Sequence, residues 1–432
     1  MDPAAERLEP LLSQLVNYER TRPDRRLWDL ATMRALLARP GAVVPPRVAV
    51  QVGGSKGKGT TGAFLEAFAT ASGVVAGFYS SPHVETLLER IRCGGQQIPV
   101  AELEARLARL LAEPCGDRRP TFFEAMTLVA AEWFAAQRAA LAVWEVGLGG
   151  RYDATTALPV LASIVTTIEL EHTDVLGDTI AAIAGEKAPI VRAGGVGFTG
   201  TTGEALDVVR AHARAVGATL FVLGEHCGVR ELQWDAEGLR GQLWLPDARV
   251  LPFLLPGAAR FEVPAMALAA AAFAHVLPEV PLRLLPAPRP ALPCRFEVRR
   301  EPDGEVLVLD GAHTEQSLQA VADELARRYP GRRAAVLFGS ATGKRWREGL
   351  SRLLPLADSV VVTELSGTTS EDPAAIAAFL AGAGVRSEVA ADAESGLAAL
   401  RRRPGPRLVV GSFYLAGQVR RFVDAESQRS KQ

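Results

Sequence analysis

The stretch Val48-Ala49-Val50-Gln51-Val52-Gly53-Gly54-Ser55-Lys56-Gly57-Lys58-Gly59-Thr60-Thr61 decides how the chain is read. An apolar, β-branched run passes directly into glycines and lysines and then into a helical pattern, so the order is strand, loop, helix. Gly54, Gly57 and Gly59 let consecutive backbone N–H groups converge on one anion. The helix N-terminus at Thr60 and Thr61 adds the positive end of its dipole, and Lys58 supplies a mobile cation. A nucleoside triphosphate is the expected ligand. Gly59 stands between Lys58 and Thr60, one residue more than the G-x-x-x-x-G-K-[ST] pattern has. A tight strand-to-helix turn with no phosphate is the alternative reading.

Working outward, 432 residues predict two or three domains, and 48% hydrophobic with 22% charged residues is the balance of a soluble globular protein. A net charge of −1 gives no general attraction for nucleic acid or anionic membrane, so small-molecule partners are expected. Cys93, Cys115, Cys227 and Cys294 show no C-x-x-C spacing, which argues against zinc, iron–sulfur or a disulfide framework and for the reducing cytoplasm. The first residues lack the basic-then-apolar pattern of a signal peptide, and no run of about 18 apolar residues occurs, so neither secretion nor membrane spanning is expected.

Apolar spacing predicts helices over Leu8 to Leu15 and Leu27 to Leu37, the second stopped at Arg39-Pro40-Gly41. After the helix Lys58 to Ser72, strands at Val74 to Tyr79, Leu141 to Val146, Ala162 to Ile168, Val196 to Gly200 and Thr219 to Leu223 alternate with helices at Leu103 to Leu111, Phe122 to Gln137, Thr179 to Lys187 and Ala205 to Val216. Such alternation implies right-handed crossovers and a mostly parallel sheet. Val229 to Leu232, Leu239 to Leu245 and Val250 to Leu254 read as a small antiparallel patch, followed by a helix at Pro264 to Val276. Prolines crowd between Pro278 and Pro293, a candidate linker, and a second alternation begins at Val306. The predicted fold is therefore α/β, with domains at 1–290 and 291–432. The basic run Arg401-Arg402-Arg403 reads as a solvated helix end.

Ligands of open parallel sheets collect at the carboxyl ends of the strands, and Thr60, Ser81, Glu145 and His172 all fall there. Glu145, inside Val143-Trp144-Glu145-Val146, must be paired or hold a cation; beside a phosphate site Mg²⁺ is the preferred reading over a buried salt bridge. His172 reads as a ligand or as a surface loop histidine. Lys187 closes a helix and reads as a complement to its dipole. In the second unit, Arg295 suits bidentate phosphate contact, and Asp310 with His313 suits a ribose or adenine edge, a helix N-cap being the alternative for Asp310.

Together these residues resemble a known pattern. Gly54 to Thr60, Tyr79-Ser80-Ser81-Pro82-His83, Glu89-Arg90-Ile91-Arg92, Thr121-Phe122-Phe123-Glu124, Glu145-Val146-Gly147-Leu148-Gly149-Gly150-Arg151-Tyr152-Asp153-Ala154-Thr155, Glu171-His172-Thr173, Leu176-Gly177-Asp178-Thr179, Glu186-Lys187-Ala188, Arg295-Phe296-Glu297, Asp310-Gly311-Ala312-His313 and Gly411-Ser412-Phe413 stand in order and spacing from Asn17-Tyr18-Glu19 to about Phe422. The chain resembles the bacterial dihydrofolate synthase/folylpolyglutamate synthase family of the Mur ligase superfamily, whose phosphate loop carries the extra glycine.

The resemblance implies an ATP-binding N-terminal domain with a P-loop and a smaller Rossmann-like C-terminal domain. It implies ATP-dependent amide ligation, in which L-glutamate joins dihydropteroate or the γ-carboxylate of a folate through an acyl phosphate. A related ligase joining an amino acid to another carboxylate is the alternative. By the same resemblance, Gly54, Gly57, Lys58, Gly59, Thr60, Thr61, Arg295, Asp310 and His313 hold ATP. Thr60 and Glu145 hold a first Mg²⁺, Ser81, Glu145 and His172 hold a second, and Lys187 becomes carbamylated to support it. Phe122, Phe123, Arg151 and Asp153 line the substrate, and the protein is a monomer. The chain departs from the pattern at Ser55, Glu171, Cys294, Thr314-Glu315 and Tyr414, and lacks an asparagine near Val263.

Overall fold

β1 (Ala49–Gly53) is buried at all five positions, and its only strongly polar side chain, Gln51, is satisfied there: its Nε2 donates to the Thr155 and Thr156 hydroxyls at 2.9 and 2.8 Å. Such a strand can lie only in the middle of a covered sheet. In the computed structural model, which describes residues 3–18, 29–39, 46–112, 118–235, 237–290 and 292–429, β1 lies between β5 (Leu141–Glu145) and β6 (Ala162–Val165). The sheet of eight strands runs β4-β3-β2-β5-β1-β6-β7-β8, adding β2 (Ala76–Tyr79), β3 (Ile91–Cys93), β4 (Gln96–Gln97), β7 (Val196–Thr199) and β8 (Thr219–Val222). From β2 to β8 the pairings are parallel, and β3 and β4 form an antiparallel edge.

The parallel strands require crossover helices. α3 (Lys58–Ala71) follows β1 and packs on α9 (Val263–Val276). Tyr79 and Trp144 of the sheet bury against Phe122, Met126 and Phe134 of α5 (Phe122–Ala136) and Leu103 and Leu107 of α4 (Val100–Ala112), with the Phe134 and Trp144 rings 5.1 Å apart. α6 (Thr173–Leu176), α7 (Ile180–Lys187) and α8 (Gly203–Ala215) complete the crossovers. The antiparallel patch is β9 (Gly228–Trp234), β10 (Leu239–Trp244) and β11 (Val250–Leu255).

Several expectations shift. The first helix is α1 (Pro3–Leu12), and the second, α2, is seen over Ala31–Leu37; Leu27, Pro40, Gly41, Glu19 and Cys115 lie outside the described residues. The proline-rich segment is no free linker. Leu254 N–H donates to Leu284 O at 3.0 Å and Ala287 N–H to Leu254 O at 2.7 Å, so its backbone is hydrogen-bonded alongside β11, with Leu284 and Ala287 buried.

The chain divides into two compact units, Met1–Ala291 and Leu292–Gln432. In the second, six strands run β12-β13-β17-β14-β15-β16. They are β12 (Glu297–Arg300), β13 (Val306–Leu309), β14 (Ala334–Phe338), β15 (Ala357–Thr363), β16 (Arg386–Ala390) and β17 (Arg407–Val410), parallel apart from the antiparallel β12. Helices α10 (Glu315–Arg328), α11 (Trp346–Leu353), α12 (Pro373–Gly382), α13 (Ala393–Arg401) and α14 (Phe413–Arg429) accompany it. The basic run ending α13 is not merely solvated: Arg401 pairs with Glu301 and Glu426, and Arg402 and Arg403 with Glu388. Among the described residues, no helix is long and apolar enough to cross a membrane.

Candidate active site

Strand register brings the polar segments to one edge. Val52 pairs with Glu145, Gly53 with Val165 and Tyr79 with Trp144, so Gly54 to Thr61, Ser81, Glu145 and the Thr166 to His172 segment leave the sheet at its carboxyl end together. The loop's shape needs glycine. Gly54 has φ +134, and a Cβ there would stand 2.0 Å from Thr166 Oγ1, whereas at Gly57 only the backbone angle, φ +81, demands it. Thr166 Oγ1 donates to Lys56 O at 2.6 Å, Ser55 N–H to Thr167 O at 2.6 Å, and Lys56 N–H to Thr167 Oγ1 at 3.0 Å. Lys58 Nζ folds back to Gly54 O at 3.0 Å. Thr60 and Thr61 are buried at the start of α3, and Thr61 Oγ1 has no hydrogen-bond partner among the described residues.

Glu145 is buried, and its Oε2 accepts Ser81 N–H at 3.1 Å, which sets the Ser81 turn against the end of β5. Lys187 is buried too: its Nζ donates to Gly54 O at 3.1 Å and lies 3.1 Å from Glu171 Oε1. It therefore reaches the glycine loop after β1 instead of complementing a helix end. Glu171 Oε2 also lies 3.7 Å from Lys56 Nζ. Burial would raise the Glu171 carboxyl, but Lys187, Lys58 and Lys56 around it hold it well below the usual range. Burial, with repulsion from Lys58, lowers the Lys187 amine against the pull of Glu171. His172 follows Glu171 with a left-handed backbone, φ 48, as the residue before α6. Sequence reasoning gave no role to Lys56, Glu171 or Thr166; for Thr166 the hydroxyl pair Thr166-Thr167 at a strand end was the available signal.

The four expected substrate residues divide. Phe122 is in the core with the Arg90 guanidinium 5.2 Å over its ring. Phe123 lies 5.4 Å from Tyr79, and a Cβ on Gly147 would meet its ring at 2.7 Å. Asp153 is buried and accepts the N–H groups of Gly147 and Thr155, both at 2.9 Å, so it shapes the Gly147 turn; burial raises its carboxyl against these bonds. The half-exposed Arg151 donates to Gly185 O at 2.9 Å.

The donors fit Mg²⁺ of one kind. No group of three or more His, Cys, Asp or Glu that could hold a metal occurs among the described residues, so an all-protein cage is absent there. Glu145 with the hydroxyls of Thr60 and Ser81 supplies hard oxygen donors, the sparse set with which Mg²⁺ is held when substrate phosphates and water complete its shell.

In the second unit, Arg295 and His313 meet on Phe413. The Arg295 guanidinium is 4.5 Å over that ring and the His313 ring 6.3 Å from it, edge-on. Asp310 is no N-cap: Thr314 caps α10, and Asp310 instead accepts Phe296 N–H and Ala312 N–H, both at 2.7 Å.

Comparison with known proteins gives the family. The Mur ligase, glutamate ligase domain matches residues 294–411. The dihydrofolate synthase/folylpolyglutamate synthase of Bacillus subtilis is 30% identical over 350 residues, 77% of this chain and 80% of that one. The chain belongs to the dihydrofolate synthase/folylpolyglutamate synthase family. Another relative, a probable bifunctional folylpolyglutamate synthase/dihydropteroate synthase of Haloferax volcanii, is 34% identical over 393 residues, 86% of this chain but 45% of that one. The chain thus spans about half the length of the haloarchaeal members it matches. Family membership extends to the fold: the bifunctional folylpolyglutamate synthase/dihydrofolate synthase of Yersinia pestis, solved with Mn, AMPPNP and L-glutamate bound, superposes with a TM-score of 0.82 at 27% identity, covering 98% of each chain.

Proposed function

We propose that the protein is an ATP-dependent ligase that joins L-glutamate to dihydropteroate, to a folate γ-carboxylate, or to both. The observation that carries this reading is the convergence of the glycine loop, buried Glu145 and the Lys187–Glu171 pair on one sheet edge, in a family whose Yersinia pestis member was solved with a nucleotide analogue and glutamate bound. Residues 1–290 form the ATP-binding domain, and 291–432 the C-terminal one.

Backbone N–H groups of Gly54, Gly57 and Gly59, the α3 N-terminus with Thr60 and Thr61, and Lys58 hold the ATP phosphates. Arg295, Asp310 and His313 serve the rest of the nucleotide. Thr60 and Glu145 would hold one Mg²⁺, and Ser81, Glu145 and His172 a second; the metal supplies neutralisation of charge on the phosphates. Lys187, whose burial disfavours the ammonium, is the residue for carbamylation, and Glu171 and Gly54 fix where its end group lies. The substrate carboxylate displaces ADP from the γ-phosphate, and the glutamate amine then displaces phosphate from the acyl phosphate. No side-chain nucleophile is needed. Phe123 and Arg151 face the folate, and Phe122 and Asp153 shape its side of the site by packing and by holding the Gly147 turn.

Release of ADP is expected to require ATP, glutamate and a pterin carboxylate together. Lys187→Ala lowers that rate by about 10- to 100-fold and also lowers the melting temperature, because Glu171 loses its buried partner; near-normal turnover in this variant, assayed below its melting temperature, would remove Lys187 from the machinery.

A further inference from the structure

We infer that Glu297, anchored by Arg420, is a positioning residue that aims Arg295 at the nucleotide; the inference rests on the ATP-ligase reading above. Arg295 lies between Cys294, φ 54, and Phe296, φ 47. Both are non-glycine residues in the left-handed region, where a Cβ is crowded and the conformation persists only if its surroundings impose it. The side chains of Cys294 and Phe296 are fully buried, so the turn throws the arginine outward between two inward neighbours.

Carboxylates impose that turn from both flanks. Cys294 N–H donates to Glu297 Oε2 at 3.0 Å and Phe296 N–H to Asp310 Oδ2 at 2.7 Å, while Gly311 N–H donates to Cys294 O at 2.9 Å. Glu297 is itself held. Arg420 Nε lies 3.1 and 3.0 Å from its two oxygens, and Arg299 Nε donates to Oε1 at 2.7 Å. Asp424 lies 3.2 Å from each of these two arginines. Arg420 and Asp424 belong to α14, whose first residue, Phe413, lies under the Arg295 guanidinium. One helix thus supports the head of Arg295 directly and its backbone through Glu297. A glutamate serving only as a surface ion pair would have no reason to accept the N–H of a left-handed residue.

Glutamine at 297 has a single acceptor oxygen and cannot serve Cys294 N–H, Arg299 and Arg420 together. The test is ADP binding with Mg²⁺, measured by calorimetry on the full chain. Glu297→Gln is expected to weaken ADP by about tenfold, and Glu297→Ala by at least as much. In an Arg295→Ala background the same Glu297→Gln change costs less than about twofold, because the group it positions is gone. Cys294→Gly, which holds a left-handed turn without help, restores most of the affinity lost in Glu297→Gln. Wild-type affinity in Glu297→Gln, an undiminished loss in the Arg295→Ala background, or no rescue by Cys294→Gly would each overturn the inference. Failure of the wild-type chain to bind ADP at all would instead sink the ligase reading. If Glu297→Ala does not fold, Glu297→Gln alone decides.

Discussion

Glu145→Gln lowers ADP release by about a hundredfold or more. The substitution keeps the size of the side chain and an oxygen that can accept Ser81 N–H, now 3.1 Å from Oε2, so the Ser81 turn stays in place. What it removes is the negative charge at a site almost closed to solvent. The same charge is the one carboxylate in the proposed metal donor set, and a fixed charge that acts in the transition state is worth about 10²–10³ in rate. Turnover within threefold of wild type, measured by coupled ADP detection, would show that Glu145 has only a structural part.

Gly54→Ala has an equally large effect by a different route. Its φ of +134 and the 2.0 Å approach of a Cβ to Thr166 Oγ1 act together. Thr166 cannot simply turn away, because its hydroxyl donates to Lys56 O at 2.6 Å and so fixes the loop. Backbone strain of about 1–3 kcal/mol and overpacking of about 1–3 kcal/mol give an expected loss of about 3 kcal/mol or more, together with loss of nucleotide binding. Gly57→Ala meets no atom within 4 Å and costs only the left-handed backbone, about 1–2 kcal/mol. Urea unfolding of the two variants checks the order, and a Gly57 effect equal to that of Gly54 would contradict the geometry.

Much of this was legible in the sequence where local pattern decides structure. β1, the glycine loop and α3 could be read because a buried strand, a φ-demanding loop and a helix each carry a local signature. The helix expected over Phe122 to Gln137 runs Phe122–Ala136. The β3–β4 hairpin was not read: its strands are two and three residues long, and its one signal was the Gly94-Gly95 turn, φ 58 and 77. β12, Glu-Val-Arg-Arg, looks like solvated polar chain, and only its pairing with β13 and the partners of Glu297 make it a strand. Lys187 shows the limit for the site. A lysine ending a helix looks like a dipole complement, and its burial depends on Gly54 and Glu171, which are distant in sequence. Asp310 likewise stood where an N-cap would, and Thr314 took that place.

The most direct measurement is the mass of the product. Purified protein is incubated with ATP, Mg²⁺, L-glutamate and either dihydropteroate or tetrahydrofolate, and the pterin fraction is weighed. The account predicts a pterin heavier by one glutamyl unit or more, formed with one ADP released for each unit added. ADP released with glutamate and no pterin, or pterins of unchanged mass after complete consumption of ATP, would contradict it.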